Sequence, residues 1–310
     1  MTKGLLLLNL GTPDAPDSRA VKRFLRDFLT DARVIDLPAF IRYPLVYGAI
    51  LPFRTPKTVK NYQAIWTKDG SPLLRYSLAL QANLQEQLGL EWKVALGMRY
   101  GNPALSSAWQ AVKGCEQVTI LPLYPQYSSA ATGSSIEKIL GLVARENTIP
   151  SLRVIAEFHQ HPGFINAQAA LIKPQLECND YFLFSYHGLP ERQLQKGDCY
   201  KTQCYATSEA LAKALGLESS QYGTSFQSRL GKTPWIQPYT DAVLPELAKK
   251  GIKRLAIACP SFVSDCLETL EEIGIGAKQQ WQALGGEHFT LIPCVNASAL
   301  FVQGLVEIIS

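Results

Sequence analysis

The sequence lacks the signatures of nucleotide use: it has no G-x-x-x-x-G-K-[ST] loop and no G-x-G-x-x-G turn. Thr132-Gly133-Ser134-Ser135 offers hydroxyls and one glycine without the P-loop spacing or lysine, and reads as the capped start of a helix. It also lacks a strongly basic domain and any basic run interleaved with aromatics, so nucleic acid is not an expected partner. Charged residues are few, at 18%, against 47% hydrophobic, which argues against disorder and supplies a sizeable core. Cysteine is odd in number, at seven, and the opening MTKGLLLLNLG has an apolar run too short for a signal core. Reduced thiols and a cytoplasmic location are expected. There is no internal repeat and no low-complexity tract.

Charge is unevenly placed. Residues 1–75 hold twelve Lys or Arg against six Asp or Glu, and the remainder eighteen against twenty. This basic quarter suits either an ordinary solvated face or an anionic partner, such as a carboxylated ligand or the inner face of a membrane.

Apolar strand-like runs recur at 4–10, 92–98, 117–123, 152–158, 180–186, 221–227, 254–259 and 288–293. Helical patterns lie between them at 17–29, 73–89, 104–113, 133–147, 163–175, 204–215, 239–250, 265–274 and 297–309. Alternation of this kind predicts an α/β fold with parallel sheets. Eight strands in 310 residues fit two doubly wound domains, 1–149 and 150–296, better than one closed barrel. Residues 30–72 break the pattern. Within them 37–53, LPAFIRYPLVYGAILPF, is almost wholly apolar, with prolines at 38, 44 and 52. Those prolines and Arg42 exclude a spanning helix. With Arg54 and Lys57 following, the segment suits a lip that makes peripheral contact with a membrane; core packing is the alternative.

Chemistry concentrates at strand ends. YFLFSYHGLP places His187, one of four histidines, where a strand meets a loop. Ligands favour that edge of an open α/β sheet, and a neutral imidazole there can bind a metal or take a proton. A ring hydrogen-bonded at a strand end is an equal reading. Comparable loops begin at Gly11, Leu123 and Cys259. The last leads into DCLETLEE, where Glu268 and Glu272 share a helical face. Asp265 and Glu268 also fit a helix cap, so the acids stand either as a cap or as groups that guide a cation or relay protons. Cys199-x4-Cys204 is not a usual zinc spacing.

Seven ordered blocks span nearly the whole chain: LGTP at 10–13, RTPKTVKNY at 54–62, GMRYGNP at 97–103, LPLYPQYSSAATGSS at 121–135, SYHGLPERQLQKGDCY at 185–200, QSRLGKTPWIQPYT at 227–240 and CPSFVSDCLETLEEI at 259–273. Together they resemble the ferrochelatase family. The resemblance implies insertion of ferrous iron into protoporphyrin IX to give protohaem, with release of two protons, in the last stage of haem synthesis. It implies two Rossmann-like domains around a central cleft, with the helix 297–310 returning to the first. His187 matches the family's cleft histidine, Glu268 the acid facing it, and Glu272 continues the acidic line, so all three are expected near the metal. Arg54, Lys57, Tyr62 and Ser71 match the region holding the propionates, and Arg99, Tyr100, Tyr124 and Gln126 match pocket walls. Two departures stand out. Cys266 occupies a position where many relatives carry histidine, and the chain lacks the cysteine-bearing extension of animal members after Ser310. No cofactor is required and a [2Fe–2S] cluster is not implied.

Overall fold

A computed structural model describes residues 2–231 and 233–310; Lys232, in the sixth block above, lies outside them. The chain divides into two compact units. The first runs to Tyr124 and takes in Ser128–Ala156 and Ile309; the second comprises Pro125–Tyr127, Glu157–Ile308 and Ser310.

The first unit holds β1 (Lys3–Thr12), α1 (Ser18–Leu29), α2 (Ala39–Leu45), α3 (Leu51–Ile65), α4 (Pro72–Leu88), β2 (Trp92–Gly101), α5 (Leu105–Val112), β3 (Gln117–Pro122), α6 (Ser134–Val143) and β4 (Ser151–Val154). Its four strands pair in parallel in the order β2-β1-β3-β4. The run Leu5–Leu8 is wholly buried, as expected of a central parallel strand covered on both faces. Leu6 and Leu8 pack with Leu105, Trp109, Val118 and Ile120. Because β4 pairs with β3, the first unit extends to Ala156, past the break expected at 149.

The second unit contains α7 (Pro162–Ile172), β5 (Tyr181–His187), α8 (Glu191–Gln195), α9 (Tyr200–Leu215), β6 (Tyr222–Gln227), α10 (Thr240–Lys249), β7 (Arg254–Ala258), α11 (Lys278–Ala283), β8 (His288–Leu291) and α12 (Ala299–Ile309). Its sheet is again parallel and repeats the first order, β6-β5-β7-β8. Its core gathers Leu183, Leu244, Leu255, Ile257 and Trp281, whose indole N–H donates to His288 O at 3.0 Å. The helix α12 packs within this unit: Phe301 lies against Phe158 and Phe164. A Cβ on Gly163 would meet Gly304 Cα at 2.5 Å, so α7 and α12 approach backbone to backbone. Ile309 alone of this helix groups with the first unit, where its carbonyl accepts from Arg153 Nη1 at 2.7 Å.

All eight expected strands are present, within a few residues at their ends. The region expected to be irregular is instead helical from Ala39 to Ile65, through a π-helical turn at Val46–Ile50. Its buried residues are Arg42, Val46, Leu51, Thr55, Thr58, Tyr62 and Ile65. The steps are three or four residues except between Val46 and Leu51, where the π turn inserts one more and keeps the stripe facing inward. Prolines 44, 52 and 56 ride in this helix. No helix among the described residues is long and apolar enough to cross a membrane.

Candidate functional site

Both sheets have their switch point beside the strand that opens the unit: successive connections leave β1 and β5 in opposite directions. Crevices for ligands form there, at the carboxyl ends of the strands. In the second unit the crevice is flanked by His187 at the end of β5 and by Cys259-Pro260-Ser261 after β7. The His187 backbone N–H donates to Ser261 Oγ at 3.1 Å, and its ring lies 6.3 Å from that of Phe262. His187 Nδ1 sits 2.6 Å from Gly188 O. A carbonyl can only accept, so Nδ1 carries the proton and the lone pair of the neutral ring is on Nε2. His187 is half-buried.

The loop after β7 leads into a π-helical segment, Glu268–Ala277, that begins at the first of the two acids. Thr269, Ile273 and Ala277 face inward, and Glu268 and Glu272 are half-buried. Gln227, at the end of β6, joins this segment to the histidine strand. Its backbone pairs with His187 in register, and its carbonyl accepts from Gly188 N at 2.8 Å. Its side-chain Nε2 donates to Glu268 O at 2.9 Å and to Glu272 Oε2 at 3.3 Å, while Oε1 accepts from Ser185 Oγ at 2.7 Å. Ser228 N donates to Glu272 Oε1 at 2.7 Å and its hydroxyl to Glu272 Oε2. A cavity of about 280 Å³ runs beside Glu272, Ser228, Arg229 and Asp241. Asp265 serves structure: it is buried, and its two oxygens accept from Thr269 Oγ1, Cys294 N and Asn296 Nδ2.

In the first unit, Arg99 and Tyr100 leave the end of β2 and meet Asp31 and Ser134. Asp31 Oδ2 accepts from Arg99 Nη2, from Tyr100 OH at 2.8 Å and from Ser134 Oγ at 2.6 Å; Arg99 Nε also donates to Ser134 Oγ at 2.7 Å. Burial pushes the Asp31 carboxyl up, but the hydrogen bonds from Ser134, the Arg33 backbone and Tyr100, with the Arg99 charge, outweigh it and hold the group below its usual range. Burial raises the Tyr100 and Tyr124 phenols, so both stay protonated. Ser71 and Thr12 hydroxyls are 2.8 Å apart. Gly11, at φ +105°, lets β1 pass this point: a Cβ there would stand 1.7 Å from Tyr100 O.

The expected residues thus separate. Arg99, Tyr100, Tyr124, Tyr62 and Ser71 belong to the first unit with Arg54 and Lys57; Gln126 belongs to the second with His187, Glu268 and Glu272. Gln126 is 1% exposed and donates to Thr207 Oγ1 at 3.0 Å, and Ser71 and Tyr100 are 3% exposed. These side chains offer almost no surface of their own. Among the described residues no three His, Cys, Asp or Glu side chains gather as a metal site. Five cysteines are buried, with Cys178 and Cys199 exposed. Burial raises the thiols of Cys204, Cys259, Cys266 and Cys294. Sequence reading missed Asp31, Ser228 and the side chain of Gln227. Only Gln227 and Ser228 had a signal, as the first residues of a matching block.

Solved structures share this fold at low identity. SirB from Bacillus subtilis with Fe3+ superposes with a TM-score of 0.60 at 10% identity, covering 99% of this chain and 94% of that one. CbiX, described as the terminal enzyme for biosynthesis of siroheme in denitrifying bacteria, gives 0.52 at 12% identity, with 99% and 97% covered. Sequence relatives are far nearer. A ferrochelatase of Legionella pneumophila (strain Lens) is 55% identical, over 100% of this chain and 99% of its own length. One of Coxiella burnetii (strain CbuK_Q154) is 47% identical over 98% and 92%. The ferrochelatase family model matches residues 2–310, and the chain belongs to the ferrochelatase family.

Proposed function

We propose that the protein inserts ferrous iron into protoporphyrin IX, with His187 and Glu268 as the reacting groups. Metallation must remove two pyrrole protons and expose nitrogen lone pairs that a planar macrocycle hides. A site that bends the ring exposes them. His187 suits proton acceptance because its neutral tautomer presents Nε2 as the base. Glu268 can accept the second proton or pass iron to the ring. The porphyrin supplies four nitrogen ligands, so one or two protein groups suffice to hand over the metal. The observation that carries this reading is Gln227, whose single amide and carbonyl tie the His187–Gly188 strand end to the first turn bearing Glu268.

Arg54 and Lys57 are assigned to the substrate's carboxylates, where guanidinium and ammonium groups pair well with propionate. Arg99, held by Asp31 and Ser134, is assigned to the pocket wall. Tyr124 is assigned to the ring wall. Tyr62, Ser71, Tyr100 and Gln126 are buried, and we assign them to holding the walls of their own units rather than to direct contact with substrate. Phe40 and Phe53, 78% and 82% exposed, with Ile41, Tyr43, Leu45 and Tyr47, form an apolar face that we assign to peripheral contact with the cytoplasmic face of a membrane. Val46 is fully buried and takes no part in that contact.

Anaerobic incubation with ferrous iron and either protoporphyrin or coproporphyrin, followed by absorbance, tests the proposal. Protoporphyrin should be metallated without added nucleotide, and His187→Ala should lose at least about a hundredfold in rate, the scale of general-base catalysis. Tight haem binding without turnover of either porphyrin would identify a carrier instead.

A further inference from the structure

We infer that Glu272 is a positioning residue and not an iron ligand: Ser228 and Gln227 clamp its carboxylate and thereby hold Glu268 in register with His187. The inference rests on the assignment of His187 and Glu268 as the reacting groups. Three donors converge on this carboxylate. Ser228 N reaches Oε1 at 2.7 Å, the Ser228 hydroxyl bonds Oε2, and Gln227 Nε2 lies 3.3 Å from Oε2. Three donors fill three of the roughly four acceptor sites of a carboxylate and fix its orientation toward the Ser228 turn. The neighbouring cavity does not supply a second acid, because Asp241 is paired with Arg229 at 2.6 Å.

The backbone adds a separate indication. Ser228 holds φ at +66°, a conformation that side-chain-bearing residues rarely adopt. That turn aims its N–H and hydroxyl together at one carboxylate. Strain of this kind persists where surrounding contacts determine it, and such positions cluster at functional sites. The same Gln227 amide that touches Glu272 also holds the Glu268 carbonyl, and its other end is fixed by Ser185, which in turn meets Thr240 at 2.8 Å. Glu268 and Glu272 lie on one π-helical segment, so fastening the second fixes the first. Gln227 is paired with His187 in the sheet register, which completes the link from β5 to the acid.

The test compares Glu272→Gln, Ser228→Ala and the double variant with the parent, reading kcat and the KM for ferrous iron together with the thermal midpoint. A positioning role predicts that each single variant lowers kcat about tenfold, the scale of one hydrogen bond to a charged group. It also predicts that the iron KM stays within about twofold and that the double variant is little worse than Glu272→Gln alone, because both remove one interaction. Ser228→Gly keeps the turn without its strain and should match Ser228→Ala, which guards against a folding defect. A large rise in iron KM for Glu272→Gln, with Ser228→Ala like the parent, would make Glu272 a ligand and overturn the inference. Parent-like kcat in both single variants would overturn it as well. Parent-like turnover in His187→Ala would instead refute the site assignment on which the inference rests.

Discussion

Replacing Asp31 by Asn is expected to destabilise the first unit by about 3 kcal/mol, the scale of breaking a buried ion pair from one side. The size follows from the contacts. Arg99, Tyr100 and Ser134 all donate to Oδ2, and the Arg33 backbone N–H donates to Oδ1. The pair is shielded, with Arg99 18% and Asp31 9% exposed. Asn keeps the volume but presents one NH2 group where an acceptor is needed, and leaves the guanidinium without its counter-charge. At roughly 2–4 °C per kcal/mol for a unit of this size, the thermal midpoint should fall by about 6–12 °C. The pH dependence has a definite sign. Because the folded carboxyl titrates below its ordinary value, its stabilisation is complete above the unfolded pKa of about 3.9 and is lost as pH falls through the lower folded value. Urea midpoints should therefore differ equally at pH 7 and pH 5, and the gap should narrow only below about pH 4. In an Arg99→Met background the same change should cost less, with a coupling of about 1–3 kcal/mol. An Asp31→Asn protein with the parent midpoint, or a gap that disappears between pH 7 and pH 5, would refute this account of the network.

Glu268→Gln should keep the parent thermal midpoint within the ~1 kcal/mol of a helix-cap change while losing about two or more powers of ten in turnover. A lowered midpoint with intact turnover would make Glu268 a cap. Replacing Phe40 and Phe53 by Ser should weaken vesicle co-sedimentation strongly, since each exposed phenyl contributes ~1.5–3 kcal/mol when fully buried. Unchanged binding would remove the apolar face between Phe40 and Phe53 from membrane contact. Gly304→Ala should lower the thermal midpoint by several degrees, because the new methyl would lie 2.7 Å from the Gly163 backbone. A midpoint equal to the parent's would show that α7 and α12 separate at little cost.

Legibility in the sequence followed the range of the interactions. The strands were readable because a buried parallel strand needs an unbroken apolar run, as in Leu5–Leu8 and Tyr181–Phe184. His187 and Glu268 were readable as chemistry at strand and helix ends, and the family blocks fixed their roles as expectations. The helix from Ala39 to Ile65 was not, because prolines at 44, 52 and 56 are ordinarily helix breakers and the π turn shifts the periodicity by one residue. Asp31 was invisible for another reason: its partners Arg99 and Ser134 lie 68 and 103 residues away. The role of Ser228 depends on a backbone angle that an ordinary serine does not advertise. Tyr100 and Gln126 were placed on pocket walls, and their burial could not be read from residue type, since tyrosine and glutamine are as readily half-exposed.

The crossing of α7 and α12 at Gly163 and Gly304 carries a constraint on how this family member can drift. Most helix contacts are negotiable: when one side chain grows, its neighbour can shrink. Here both partners are already the smallest residue, and a Cβ on either would press on the other's backbone. Neither position has anything left to surrender, so no second-site substitution in the facing residue can rescue the first. Change at this crossing must be absorbed by sliding the whole of α12, and with it Phe301, out of the aromatic cluster it shares with Phe158 and Phe164.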